Sequence, residues 1–141
     1  MEARELGLYI GGMAFLIILS AYFSATETAF TSVNRIKLKN MAGDGNMRAK
    51  KVLLLEERYD TLLSTILVGN NIANIATTAI ATVFFVNLYG RYGPTISTIV
   101  ITVTVLIFGE ISPKNLAKEY PEKFAMFSAP LISLLMTVFT P

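Results

Sequence analysis

The chain has 141 residues, of which 53% are hydrophobic and only 16% are charged, and its formal net charge is +2. A mean hydropathy of +0.56 excludes an ordinary soluble domain and indicates a membrane protein. The small net charge and the clustering of the basic residues argue against nucleic-acid binding. Because the sequence has no Cys and no His, any metal site must be built from oxygen atoms. We also expect no enzyme, since no catalytic constellation is present.

Several long uncharged stretches are candidates for membrane segments, since about 20 apolar residues cross a bilayer as a helix. They cover residues 6–26, 61–90, 92–109 and 124–141. The first lacks the basic start and the cleavage site of a secretory signal, so we expect it to be retained. The last is short and interrupted by proline. It is either a further crossing or a helix along the cytoplasmic interface, and we favour the interface.

The basic residues set the orientation, because loops rich in Lys and Arg stay on the cytoplasmic side. They concentrate between residues 34 and 60, which places that connection and the C-terminus in the cytoplasm and the N-terminus outside. We therefore predict an all-α, multi-pass protein of the cell membrane with three transmembrane helices and short cytoplasm-side helices. The segments are a first crossing at 1–33, a cytoplasmic helical hairpin at 34–58, a second crossing at 60–89, a third crossing at 93–112 and a juxtamembrane helix at 121–141.

The basic connection mixes charged and apolar residues in two runs, "VNRIKLKNMA" and "NMRAKKVLLLEER", which are separated by the turn signal "GDGN". This pattern favours a helical hairpin that lies against the inner face of the membrane, with its Lys and Arg side chains near lipid phosphates. The alternative is a solvated charged loop that only sets the topology.

Oxygen-bearing side chains align along one face of the first crossing at helical spacing. They are Ser20, Ser24, Glu27, Thr28 and Thr31. The alternative to a ligand role is that the hydroxyls bond back to their own helix or join neighbouring helices. Glu27 is near the predicted cytoplasmic boundary, where it either lines a vestibule or simply reaches water.

The second crossing contains "LVGNNIANIATT", in which Asn70 and Asn74 share one helix face. Asparagine in a membrane helix is either a ligand or a polar packing contact between helices. Gly69 allows another helix to approach closely, which fits both alternatives.

The third crossing ends with "LIFGEISPK", which places the carboxylate of Glu110 beside a loosened backbone. Pro113 has no N–H, so in a continuing α-helix the carbonyl of Gly109 loses its donor. Together with Ser20, Ser24 and Asn70, this predicts an all-oxygen site for a hard cation such as Mg²⁺, Ca²⁺ or Na⁺. The competing interpretations are a salt bridge from Glu110 to Lys114 and a proton-relaying acid.

Three runs, "SAYFSATETAFTSVNRIKL", "ERYDTLLSTILVGNNIANI" and "VLIFGEISPKNLAKEYPEKFA", closely resemble the transmembrane domain of the CorC/CNNM (cyclin M) family of magnesium transporters. The resemblance implies a homodimer in the lipid bilayer and Mg²⁺ export, with Na⁺ entry as a candidate driving force. It also implies a dehydrated Mg²⁺ ion in each protomer. Transferred to this chain, the ligands implied are Ser20, Ser24, Asn70, Gly109 and Glu110. Asn74 and Ser64 are left as either further ligands or part of a sodium path.

Members of that family usually continue into cytoplasmic CBS domains, whereas this chain stops at Pro141. We therefore expect ATP binding only through those absent domains. Two functions of another class stay open: a non-transporting, ion-sensing membrane scaffold, and a Na⁺ or H⁺ carrier.

Overall fold

The computed structural model describes residues 3–139 and is helical throughout, with no strand in that range, which confirms the all-α prediction. Residues 1–2 of the predicted first crossing and residues 140–141 of the predicted juxtamembrane helix lie outside the described residues. The helices are α1 (Ala3–Ser32), α2 (Arg35–Gly43), α3 (Met47–Glu56), α4 (Tyr59–Tyr89), α5 (Gly93–Thr104), a π-helical segment (Val105–Ile111), α6 (Ser112–Glu119) and α7 (Pro121–Phe139).

The two longest helices, α1 and α4, pack against each other. Close approach depends on Gly69, because a Cβ atom there would lie only 2.5 Å from Cζ of Phe23. Phe23 is itself buried in the main core, together with Ile66 one turn before Gly69. The glycine therefore lets the aromatic ring of α1 sit directly on the backbone of α4, as the sequence predicted for this position.

A tight reversal returns the chain from α4 to α5. Gly90 has a φ of +64°, a left-handed conformation that glycine adopts without steric penalty, and a single 3₁₀ turn, Gly90–Tyr92, follows it. A Cβ atom on Gly93 would lie 2.5 Å from the backbone nitrogen of Val86, so α5 starts in contact with the α4 backbone. Pro94 occupies the first turn of α5, where its missing N–H leaves no bond unmade.

The helix widens into π geometry just before Pro113. The N–H of Ser112 donates to the carbonyl of Ile107, five residues earlier, which is the π register. Pro113 then supplies no donor to the preceding turn, and α6 continues the helix to Glu119. The sequence predicted a helix loosened by glycine and proline at this point, but it did not predict the change of register.

Two asparagines begin the short helices of the connection. Asn34 accepts a hydrogen bond from the N–H of Lys37 at 3.2 Å, and Asn46 accepts from Arg48 and Ala49 at 3.0 and 3.1 Å. Side-chain oxygens at these positions satisfy helix N–H groups that otherwise lack partners. As a result α2 and α3 form two separate helices, which pack against each other on either side of the "GDGN" turn.

Helix α7 covers the core next to α1 and α3. Its inward face is buried and mostly small or apolar, and it consists of Ala125, Ser128, Ala129, Ile132 and Met136. The buried hydroxyl of Thr26 on α1 lies 3.3 Å from the Ser128 hydroxyl, so the contact between α1 and α7 also includes a polar pair.

Two continuous helical stretches, Ala3–Ser32 and Tyr59–Glu119, are long and apolar enough to cross a membrane. The second includes the reversal at Gly90, so α4 and α5 pack side by side within it. Large apolar side chains such as Phe15 and Ile18 are about two-thirds exposed on the outside of α1. An apolar exterior of this kind fits a lipid environment.

Candidate metal centre

Three of the polar residues that the sequence singles out meet around Ser20, where α1 faces α4. Ser20 is fully buried, and its Oγ lies 2.8 Å from Oδ1 of Asn70 and 2.9 Å from Oδ1 of Asn74. Asn70 and Asn74 are one turn apart on α4, so their side chains reach the same point. The structure therefore brings three neutral oxygen atoms from two helices into one cluster.

The orientation of the two amides decides what the cluster can bind. Each amide has one acceptor oxygen and an NH₂ group with two donor protons, so turning either amide by 180° would let it donate to Ser20 Oγ. In the structure both amides instead present Oδ1 to Ser20 Oγ, whose single proton serves one of them. Hydroxyl and amide oxygens are suitable ligands for hard cations, and a cation among them would favour this orientation.

Ser20 and Ser24 differ from the hydroxyl residues around them. Thr26, Thr65 and Thr77 each donate to the backbone carbonyl four residues earlier, at 2.7 to 2.9 Å. Ser20 instead reaches across to α4, and the buried Ser24 Oγ has no hydrogen-bond partner within residues 3–139. A buried hydroxyl without a partner lowers the free energy of unfolding. The Ser24 oxygen, one helical turn from Ser20, is therefore free to act as a ligand.

Gly109 reaches the cluster from the π-helical segment. It is buried, and a Cβ atom built on it would lie 3.4 Å from Ser20 Oγ and 3.4 Å from Cγ1 of Val105. Glu110, the next residue, is half-buried, and its carboxylate makes no ion pair with Lys114 in the described part of the chain. The competing salt bridge is thus not formed in this structure.

Some polar residues singled out from the sequence lie away from the cluster. Ser64 is exposed, and Glu27 is half-buried and makes no hydrogen bond within the described range. No metal-binding group of three or more carboxylates occurs among residues 3–139, so a metal held here would be bound mainly by neutral oxygens. Asn74, whose role the sequence left open, lies 2.9 Å from Ser20 Oγ, against 2.8 Å for Asn70. Its spacing of four residues from Asn70 indicated that the two amides share one helix face.

The comparisons with known proteins agree with the helical, apolar architecture. Residues 11–141 match the family model described as the cyclin M transmembrane N-terminal domain. "UPF0053 protein" of Haemophilus influenzae is 44% identical over 125 residues, which are 89% of this chain and 30% of the relative. "UPF0053 inner membrane protein YfjD" of Escherichia coli is 43% identical over 123 residues, 87% of this chain and 29% of the relative.

A more distant relative has a functional name. "Polyamine export protein" of Haemophilus influenzae is 31% identical over 139 residues, which cover 89% of this chain and 32% of the relative. The chain spans only about 30% of the length of the two UPF0053 relatives.

Proposed function

Because the chain belongs to the cyclin M transmembrane domain family, we propose that it is the membrane domain of a Mg²⁺ transporter. The proposed direction is export, with Na⁺ entry as the driving gradient. The proposed Mg²⁺ site lies at mid-membrane, and its ligands are Ser20, Ser24, Asn70, the Gly109 backbone and Glu110. To these ligands we add Asn74, because its Oδ1 lies 2.9 Å from Ser20 Oγ.

One observation carries the proposal: the side-chain oxygens of Ser20, Asn70 and Asn74 converge between two helices, at the buried Ser20. The neighbouring Ser24 hydroxyl is also buried and has no hydrogen-bond partner in the described range. Oxygens gathered in this way can coordinate a hard cation, and a buried hydroxyl without a partner is costly. Together the two features support a binding role over a purely structural one.

The donor set favours a small metal ion over an organic cation. The relative named for polyamine export makes a polyamine the second candidate substrate. Ammonium groups are best matched by carboxylates and aromatic rings, whereas the Ser20 cluster offers neutral oxygens close together. Near-octahedral oxygen coordination at about 2.1 Å is the Mg²⁺ preference, while Ca²⁺ takes longer bonds and more ligands.

We further propose how the domain sits in the bilayer. Helix α1, helix α4, and α5 with the π-helical segment form three crossings. Helices α1 and α4, with 30 and 31 residues, exceed the ~20 residues that a span requires, and the 12 residues of α5 with the 7 of the π-helical segment come close to that length. The basic helices α2 and α3 and the helix α7 lie on the cytoplasmic side, and two copies associate as a homodimer in the cell membrane. ATP acts only through cytoplasmic CBS domains of a longer protein.

The first experiment is isothermal titration of Mg²⁺ and Ca²⁺ into the detergent-purified chain. We expect saturable Mg²⁺ binding that is lost in Asn70→Leu and in Glu110→Gln. The matched control is Asn71→Leu, because Asn71 is the adjacent amide and is exposed. Unchanged binding in Asn70→Leu would contradict the site. No binding by the folded wild type would favour the scaffold.

Transport is tested next in liposomes, since binding alone does not show movement of the ion. We expect Mg²⁺ flux that rises with an opposing Na⁺ gradient and is absent in Asn70→Leu. Flux of H⁺ or Na⁺ without Mg²⁺ would identify the third alternative, a monovalent carrier. Putrescine flux that survives Asn70→Leu would favour the polyamine instead.

A further inference from the structure

A second polar cavity lies where α1 ends and α4 begins, away from the Ser20 cluster. It has a volume of about 320 Å³ and is lined by Phe30, Thr31, Val33, Arg35, Glu56 and Tyr59. These residues come from the ends of α1, α2, α3 and α4, so four chain segments meet around it. The sequence pattern gave Glu56 no role of its own, since it is one of several charges in the predicted cytoplasmic hairpin.

The Glu56 carboxylate is buried and only half satisfied. Its side chain is 5% exposed, and its Oε2 accepts from the Arg35 guanidinium at 3.3 Å. Its Oε1 has no hydrogen-bond partner within residues 3–139. Burial also raises the Glu56 pKa above the ordinary carboxyl value, although Arg35 opposes the change. A buried carboxylate oxygen without a donor is costly, which calls for a partner that the described residues do not provide.

Arg35 is a removable partner. Its side chain is 61% exposed, and a contact of 3.3 Å from one guanidinium nitrogen to one oxygen is not the paired, two-bond geometry of a firm Arg–carboxylate bridge. Surface arginines of this kind lose little when they move into water. The guanidinium can therefore leave Glu56 when another cation arrives.

A second carboxylate lies next to this cavity. Glu27 precedes the lining residue Thr31 by four positions on α1, so both share one helix face. The carboxylates of Glu27 and Glu56 both lie near enough to Tyr59 for their charges to act on its hydroxyl. With Arg35 displaced, the cavity has one lining carboxylate, Glu56, a second carboxylate beside it, and the aromatic rings of Phe30 and Tyr59 in its lining, a combination that favours a cation.

We infer that this cavity, with Glu56 as its anchor and Glu27 beside it, is a second cation site, separate from the Ser20 centre. Its ligand is a cation that presents hydrogen-bond donors: a hydrated divalent ion through its water ligands, or a primary ammonium through its N–H groups. A hexahydrated ion needs about 180 Å³ if each of its six waters takes a ~30 Å³ share of liquid volume, which the cavity accommodates. The Ser20 centre would instead bind a dehydrated ion, so the two sites differ in chemistry.

The probe that separates the two sites is hexaamminecobalt(III), which presents N–H donors and does not exchange its ligands for protein oxygens. We expect saturable binding of this ion to the detergent-purified chain by isothermal titration, weakened at least tenfold in Glu56→Gln. Asn70→Leu should leave this binding unchanged even if the Mg²⁺ proposal for Ser20 fails. Glu57→Gln is the matched control, because Glu57 is the neighbouring carboxylate and is exposed.

Arg35→Gln tests the exchange of partners. If Arg35 competes with the ligand, its removal should tighten hexaamminecobalt binding severalfold; if the Arg35–Glu56 pair is only structural, affinity will not rise. Glu27→Gln leaves that pair intact and should weaken binding severalfold, so the inference stays testable if Glu56→Gln folds poorly. Wild-type affinity in both Glu56→Gln and Glu27→Gln, or no saturable binding by the wild type, would overturn it. Displacement of the probe by Mg²⁺ assigns a hydrated metal, and displacement by putrescine assigns an organic ammonium.

Discussion

Replacing Gly69 with alanine tests whether the helix contact beneath the candidate metal centre sets its geometry. The new Cβ would lie 2.5, 2.7 and 2.9 Å from ring carbons of Phe23. Carbon atoms in contact prefer about 3.5–4.0 Å, so α1 and α4 must separate by roughly 1 Å unless the ring moves. The ring has little room to move, because Phe23 is 4% exposed in the main core.

Separation of α1 and α4 at Gly69 would also move the adjacent Asn70 away from Ser20. The 2.8 Å distance between Ser20 Oγ and Asn70 Oδ1 would lengthen. A 1 Å separation would take it to about 3.8 Å, beyond hydrogen-bond range. We expect Mg²⁺ affinity to fall by about 10–100-fold, the range seen when groups that orient metal ligands are displaced. Overpacking should cost about 1–3 kcal/mol of stability. A gain of about 1 kcal/mol in helix propensity opposes that cost.

Isothermal titration of Mg²⁺ and thermal unfolding in detergent measure both effects. Gly12→Ala is the matched control, since it makes the same change in a helix interior but its Cβ meets only Cδ1 of Ile80, at 4.0 Å. The control should keep wild-type affinity and gain stability. Equal Mg²⁺ affinity in Gly69→Ala, Gly12→Ala and the wild type would refute the reasoning.

Three further outcomes are expected. Ser24→Ala should raise the metal-free stability by about 1 kcal/mol, because it removes a buried hydroxyl without a partner, while weakening Mg²⁺ binding; lower stability would argue against that account. Burial raises the Glu56 pKa, so the free energy of unfolding should fall as the pH rises from the ordinary carboxyl pKa through the raised one. Thermal unfolding at several pH values should show a smaller pH dependence in Glu56→Gln and an unchanged one in Glu57→Gln. Asn46→Ala removes two capping bonds of α3 and should cost about 1 kcal/mol in the same assay, whereas Asn40→Ala, with no capping role, should not.

Much of the helical architecture could be predicted from sequence because local chemistry specifies it. Apolar runs define α1 and α4, and the "GDGN" turn with its capping Asn46 separates α2 from α3. The π-helical segment could not be predicted in the same way. Proline and glycine indicate a loosened helix, but they do not specify the π register, which occurs where Gly109 lies close to Ser20 of another helix.

The candidate sites show the same division. The proximity of Ser20 and Asn70 could be expected from facing helices, and their role as Mg²⁺ ligands stays a prediction. Glu56 was missed because its position in the hairpin gives no local sign of burial. Its carboxylate is buried only because the ends of four helices meet around it, and tertiary contacts of that kind leave no periodic pattern in the sequence.

The proposed Mg²⁺ site also has a charge balance that suits transport more than storage. Within the described residues it has one carboxylate, Glu110, and the other proposed ligands are neutral oxygens. Mg²⁺ bound there would keep an excess positive charge in a low-dielectric setting, which is unfavourable. Neutral dipoles stabilise the ion without neutralising it, so binding is weaker than in a site with several carboxylates. A transporter needs that weakness, since an ion that is bound too tightly at mid-membrane cannot leave.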